Sequence, residues 1–309
     1  MELRHLRYFI AVAEELNFSR AAERLHMAQP PLSQQIRSLE TELGVQLLER
    51  TKHRVQLTEV GELFLAEARQ TLVQAERSIQ TAQRAHQGEL GRLVIGFASS
   101  LAYSIFPEIL RAFREQFPDV DLVLHELNTS LQIEGIDDRS LDLGFVHLPI
   151  KEDHLKLLTV LEEPLVAAIP ETHPLAIHPQ ISLASLASER FILFPRYVAC
   201  GFHDQILQSC QQSGFMPNVI QEAKLMQTIV CLVAAGMGVA LVPASLQNLQ
   251  RTGVVYRTLK EAIPTLKTAL VWRPENVSPV LREFIKVVQP IAAGSQVAEQ
   301  DSNRYSGSK

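Results

Sequence analysis

Between Gln29 and Gly44 the chain reads QPPLSQQIRSLETELG, a run that leaves the backbone little choice. Two consecutive prolines are accepted in the first turn of a helix, where their missing amide donors would have had no partner. Leu32, Ile36, Leu39 and Leu43 then recur at three and four, the period of a helix with one buried stripe, and Gly44 can end it in the left-handed conformation. At about 100° per residue, Gln34, Arg37, Ser38 and Thr41 point away from that stripe and Ser33 sits at its edge. On an arbitrary helix such a face is only solvated. Here its amides, hydroxyls and guanidinium are also the groups that read base edges, and Gln34 can pair in bidentate fashion with adenine in a major groove.

The flanking residues decide between those alternatives. Leu3, Leu6, Phe9, Ile10, Ala13 and Leu16 mark a first helix, and Ser19 is expected to cap a second through Ala21, Ala22 and Leu25. A tight turn at His26 to Ala28 leads into the helix of Gln29, so Phe18 to Arg37 reads as helix, turn, helix. Beyond Gly44, Val45 to Leu48 and Val55 to Leu57 can pair as a hairpin with Arg50, Lys52, His53 and Arg54 at its tip. A basic tip beside an amide-rich helix suits a reader of double-stranded DNA, with phosphate contacts fixing register while the helix meets the bases. The chain as a whole is acidic, 29 basic against 34 acidic residues for a net charge of −5, so any DNA affinity is local. Met1 to Thr58 carries eight Lys/Arg against seven acids, a balance of +1 that leaves −6 for the remainder.

The first sixty or so residues are very similar to the winged helix-turn-helix head of LysR-type transcriptional regulators, through AAERLH, QPPLSQQI, LE, LGVQLLER and LTEVG. That resemblance implies that Gln29, Pro30, Pro31, Ser33, Gln34 and Arg37 lie in or beside the major groove. It makes Arg50, Lys52, His53 and Arg54 the wing.

From Thr58 to Gln87 there is no proline and a single glycine, Gly61. Thr58 can cap this segment, Glu59 and Glu62 favour the positive end of the helix dipole, and about thirty residues span roughly 45 Å. Leu65, Ala68, Leu72, Ala75, Ile79 and Ala82 alternate spacings of three and four. Such a stripe can lie on its own chain, but small residues also let two helices approach closely, and two heads on two half-sites need a rigid spacer. We read it as a seam between copies, giving a homodimer or, by the resemblance, a homotetramer.

Past Gly88 and Gly91 the texture becomes that of an α/β domain: apolar runs of strand length at Leu93 to Ala98, Leu122 to Leu127, Asp142 to Val146, Leu165 to Ile169, Phe191 to Phe194, Val239 to Val242 and Thr268 to Trp272, alternating with helical segments. Alternation of this kind predicts parallel sheets. The similarity to LysR-type proteins continues more loosely through LVIGF, DLDLGFVH, EEPLVAAIPETHPLA and LVAAGMGVALVPASL. It implies an α/β regulatory domain like the periplasmic binding proteins, made of two Rossmann-like subdomains, with the chain crossing near Glu163 and returning near Thr268. The expected division is a DNA-binding domain at 1–58, a linker and dimerisation helix at 59–90 and an effector-binding domain at 91–290. The first subdomain takes 91–163 and 269–290, the second 164–268, and 291–309 forms a disordered tail.

Ligands of open α/β sheets bind outside the carboxyl ends of strands. Ser99 and Ser100, Asn128 and Thr129, and His147 each follow a predicted strand, while Gly201 and Phe202 open a helix of the second subdomain. Taken singly each hydroxyl can be just a helix cap; converging as the resemblance implies, they suit a carboxylate, with Phe202 against an apolar body. Relatives sharing MELRHLRYF, QPPLSQQI and VPAS respond to aromatic acids and their breakdown products, so the resemblance implies a small organic acid, aromatic or dicarboxylic, as effector. Some place Arg where His147 stands, which would leave this chain holding its anion with a neutral or titratable group. The family also implies RNA polymerase as a partner if the protein is an activator.

Other classes are weaker. Cys200 and Cys210 offer a redox-sensing alternative, since a peroxide-sensing branch of the family uses two cysteines here, yet VACGFHDQILQSC lacks its pattern. Cys231, inside an apolar run, is expected in the core. No CxxC pair, HExxH, P-loop, GxSxG or GxGxxG occurs, so no metal, cofactor or enzymatic activity is expected. An enzyme using its helix-turn-helix only for assembly is the contrasting reading. The N-terminus lacks an export signal and no apolar run reaches the ~18 residues that span a bilayer, so a cytoplasmic location is expected, against a solute-binding transport component.

Overall fold

The computed structural model describes residues 1–51 and 54–305, the side chains from 295 onward excepted. The chain divides into two compact units, Met1–Arg84 and the residues from Ala85 on.

The first unit is built on α1 (Leu3–Glu15), α2 (Phe18–Arg24) and α3 (Gln29–Leu43). Their apolar stripes meet in one core, where Leu6, Phe9, Val12, Ala21, Leu32, Ile36 and Leu39 are buried. Asn17, not Ser19, caps α2: its side chain accepts from the amides of Ser19 and Arg20 at 2.9 and 3.1 Å. Ser19 is the second residue of the helix, and its own amide is one of those donors. Pro30 and Pro31 stand in the first turn of α3 as expected, and Gly44 ends it at φ +71°. The wing pairs β1 (Leu48–Arg50) with β2 (Val55–Leu57) antiparallel, Arg50 opposite Val55, so the first strand starts later than the sequence suggests. Helix α4 (Glu59–His86) follows. The Thr58 hydroxyl accepts from the Gly61 amide at 2.9 Å, and Gly61 is obligatory, because a Cβ there would stand 2.0 Å from the Leu47 carbonyl oxygen.

The second unit holds two sheets. The first contains β3 (Gly91–Phe97), β4 (Val120–Glu126), β5 (Leu143–His147), β6 (Lys156–Glu163) and β13 (Leu266–Trp272), in the order β4-β3-β5-β13-β6. Helix α5 (Phe106–Gln116) and α9 (Pro279–Tyr305) share a core with this sheet through Phe106, Phe113, Phe145 and Phe284. Helix α6 (Thr129–Asp137) belongs to a separate core with Val146, Ala269 and Val271. The other sheet runs β11-β7-β12-β8, from β7 (Leu165–Pro170), β8 (Gln180–Ile181), β11 (Ala240–Pro243) and β12 (Val254–Leu259). Beside it β9 (Arg190–Leu193) pairs in parallel with β10 (Asn218–Glu222), and α7 (Cys200–Gln212) and α8 (Met226–Ala234) pack into the same core.

Three expectations are corrected. The sheets are mixed: β5 and β4 run parallel to β3, but β13 is antiparallel to β5 and β6, and β7 is antiparallel to β11 and β12. Strands β6 and β13 carry the chain out of and back into the first sheet, so they need no crossover helix and run against their neighbours. The chain crosses after Glu163 as expected, but residues 266–268, assigned to the second subdomain, already belong to β13 of the first sheet. Finally, the tail expected to be disordered from 291 is helical through Tyr305, and the apolar stripe of α9 holds its first residues, past Pro290 as far as the buried Ala292.

Candidate functional site: a DNA-reading head and an effector cleft

On α3, Gln29, Pro30, Pro31, Gln34 and Arg37 are exposed together and Ser33 is half-buried, as the helical period requires. Arg54 is exposed at the wing, whereas Lys52 and His53 lie outside the described residues. Arg50 departs from the expectation. Its guanidinium reaches Glu40 Oε2 of α3 at 2.6 Å and lies 5.0 Å above the Phe18 ring. Glu40 Oε1 in turn accepts from the amides of Leu47 and Leu48 at 3.0 and 3.1 Å. Both side chains are largely buried, so Arg50 braces the wing against the recognition helix and is not presented at the tip.

The stripe on α4 is shared between two tasks. Ala68 is buried in the head core, with Leu65 and Leu72 packed against it, so these three lie on their own chain. Ala75 is half-buried, and Ile79 and Ala82 are exposed.

In the second unit a cavity of about 300 Å³ opens between the two sheets. The carboxyl ends of β3, β4 and β5 deliver Ser99, Ser100, Asn128, Thr129 and His147 to it, and the facing wall includes Phe194, Tyr197, Val198 and Phe202. Gly201 does not line it: its role is close approach, since a Cβ there would fall 2.6 Å from Pro149 Cδ. Lys224, Leu225 and Met226, from the loop before α8 and its first residue, line the cavity unanticipated by sequence. Nothing in their spacing distinguishes them from ordinary loop residues; Leu131, one turn into α6, was the one a helical period could have found.

The floor of the cavity is a hydrogen-bonded chain. Ser100 Oγ lies 2.9 Å from His147 Nε2, and His147 Nδ1 lies 3.1 Å from Thr268 Oγ1. The His147 amide donates to Thr129 Oγ1 at 3.4 Å. Ser100, His147 and Thr268 are all buried, and burial pushes the imidazole down from its usual 6.5 to about 4, so the ring is neutral at physiological pH. Asn128 caps α6, its Oδ1 accepting from the Leu131 amide at 3.0 Å. Charged side chains in the lining, Glu126 and Lys224, are exposed and of opposite sign.

The two cysteines of the redox alternative are not within disulfide reach in this structure. Cys200 and Cys210 are ten residues apart on α7, roughly 15 Å along a helix and far beyond the ~7 Å that a disulfide tolerates. Cys210 is buried and its thiol is pushed up to about 11. Cys231 is exposed, a correction: the buried stripe of α8 is Met226, Ile229, Val230 and Val233, and position 231 falls off it. Among the described residues no cluster of His, Cys, Asp and Glu could hold a metal ion, and no helix is long and apolar enough to cross a membrane.

Residues 3–62 match the family described as bacterial regulatory helix-turn-helix protein, lysR family, and residues 86–292 match the LysR substrate binding domain. The chain is 42% identical over 287 residues to the transcriptional regulator AlsR of Bacillus subtilis (strain 168), covering 93% of this chain and 95% of that protein. It is 38% identical over 289 residues to the Hca operon transcriptional activator HcaR of Escherichia coli (strain K12), covering 94% and 97%. Full-length CbnR in complex with its target DNA superimposes with a TM-score of 0.85 at 29% identity, covering 94% of this chain and 100% of that one. Head, linking helix and two-sheet cleft thus recur together, and the chain belongs to the LysR family of DNA-binding transcriptional regulators, which are not enzymes.

Proposed function

We propose that this regulator, acting as an activator, reads its operator through Gln29, Pro30, Pro31, Ser33, Gln34 and Arg37 of α3 with Arg54 and its neighbours on phosphates, and is switched by a small organic acid bound in the cleft. The observation that carries the effector assignment is the cavity itself: hydroxyls and a helix start at one end, aromatic and aliphatic walls at the other. That is the environment of a carboxylate on an apolar body, and of the aromatic and dicarboxylic classes it favours the aromatic. Activation is supported by the similarity to a protein named as an operon activator. RNA polymerase would then be the further partner. Ile79 and Ala82, with the half-buried Ala75, supply the part of the seam between copies that the head core leaves free. For switching, the acid must bind the closed cleft more tightly than the open one.

The test separates the two modules. Gel retardation uses DNA upstream of the protein's own gene, and thermal shift uses a panel of aromatic and dicarboxylic acids. Gln34→Ala should relax base preference and leave the thermal shift intact; Ser100→Ala with Thr129→Ala should do the reverse. Equal loss of DNA binding in both variants would refute the division of labour.

A further inference from the structure

We propose that Thr268 is a positioning residue that fixes the tautomer of His147 and thereby the direction of the Ser100 hydroxyl, so that the cleft floor presents a hydroxyl donor and selects monocarboxylic over dicarboxylic acids. This rests on the reading of the cleft as the effector site.

The argument follows the hydrogens. Thr268 is fully buried on β13, and among the described residues its hydroxyl has one partner, His147 Nδ1 at 3.1 Å. A hydroxyl carries one proton. If Thr268 accepted from the ring, its own proton would be left buried without a partner, the costlier arrangement. Thr268 therefore donates, and Nδ1 accepts. A neutral imidazole then holds its single hydrogen on Nε2, which faces Ser100 Oγ at 2.9 Å. Ser100 accepts from the ring and turns its own proton into the cavity it lines. A ligand atom there must be an acceptor.

Charge sets the number of carboxylates. With the ring neutral, the lining carries Glu126 and Lys224 and no formal net charge. The opposite wall includes Phe194, Val198, Phe202 and Met226, with Tyr197 and Lys224 as its exposed members. One carboxylate can be held by the Ser100 hydroxyl and the start of α6; a second is either buried against the apolar atoms or meets Lys224 where solvent screens the pair and Glu126 already balances its charge.

Calorimetry on the full-length protein tests this with benzoate, butyrate, phthalate, succinate and benzyl alcohol, against wild type, Thr268→Val, Thr268→Ser and Ser100→Ala. A monocarboxylate should bind wild type at least about tenfold more tightly than either dicarboxylate, a single well-made hydrogen bond and one uncompensated charge being of that size. Thr268→Val frees the tautomer, so it should lower benzoate affinity about tenfold while benzyl alcohol is held no worse, and Thr268→Ser should restore wild-type behaviour to within about threefold. A merely structural role would weaken both ligands alike. If Thr268→Val keeps the acid-over-alcohol ratio while Ser100→Ala loses benzoate, the assigned hydrogen-bond direction is wrong and the effector site stands. Equal binding of phthalate or succinate overturns the charge argument. Should Thr268→Val fail to fold, the ratio in Thr268→Ser and the wild-type acid series decide. No binding by any of the four acids overturns both the assigned hydrogen-bond direction and the reading beneath it.

Discussion

Glu40 and Arg50 close at 2.6 Å across the junction of recognition helix and wing, and the same carboxylate takes two backbone amides of the segment leading into the wing. The pair is therefore a bracket between α3 and the wing, the two elements proposed to meet DNA. Breaking it leaves a buried partner uncompensated, so Glu40→Ala should destabilise the head by about 2 kcal/mol. Urea unfolding read by far-ultraviolet circular dichroism would measure it. The salt slope of DNA binding should stay unchanged in Arg50→Lys, whereas Arg54→Ala should lower it by about 1.

Helix α4 predicts a contrast between two alanine-stripe positions. Ala68 is 1% exposed in the head core and Ile79 is 51% exposed. Ala68→Asp should cost several kcal/mol, roughly 3, by burying a charge, and should lower the melting temperature. Ile79→Asp should leave the melting of the head intact and shift the protein toward monomer in multi-angle light scattering. An oligomer unaffected by Ile79→Asp would remove this helix from the interface.

His147 gives a pH dependence of defined sign. Its folded value of about 4 lies below the ordinary 6.5, so between those limits the unfolded chain binds the extra proton. Stability contributed by the neutral ring is complete above about pH 6.5 and is lost progressively as pH falls toward 4, by about 3 kcal/mol in all. Denaturant midpoints of wild type against His147→Gln, taken from pH 7 down to 4.5, should diverge across that window and nowhere above it.

Peroxide should leave DNA binding untouched. Cys200 is exposed and can be alkylated, but Cys210 is buried with its thiol held at about 11 and sits on the same rigid helix. Mass spectrometry after oxidation should find no bond between them, and Cys200→Ser should retard DNA as wild type does.

Periodicity made the head legible: Leu32, Ile36 and Leu39 are buried because a helix returns to one face every three or four residues, and the sequence carries that rhythm openly. The cleft was legible wherever a hydroxyl follows a strand, as at Ser99, Ser100 and Thr129. What stayed hidden is tertiary. Arg50 has the same chemistry whether it meets a phosphate or Glu40. Thr268 lies 121 residues from His147, and a threonine inside an apolar strand looks like filler until the strand is paired with β5. Cys231 was misplaced by reading an apolar run as a whole in place of its period. Strands β6 and β12 escaped because charged and polar residues interrupt them, at the half-buried Glu162 and Arg257.

The two prolines that open α3 also decide what its tip can hold. An ordinary helix start offers four unused amide hydrogens and is a ready seat for phosphate; with Pro30 and Pro31 in place, half of them do not exist. Helix α3 is thus muted toward the sugar-phosphate rail at the very end proposed to enter the groove. Anchoring must come from side chains and from the wing, and the helix is left free to settle in the register its base contacts choose.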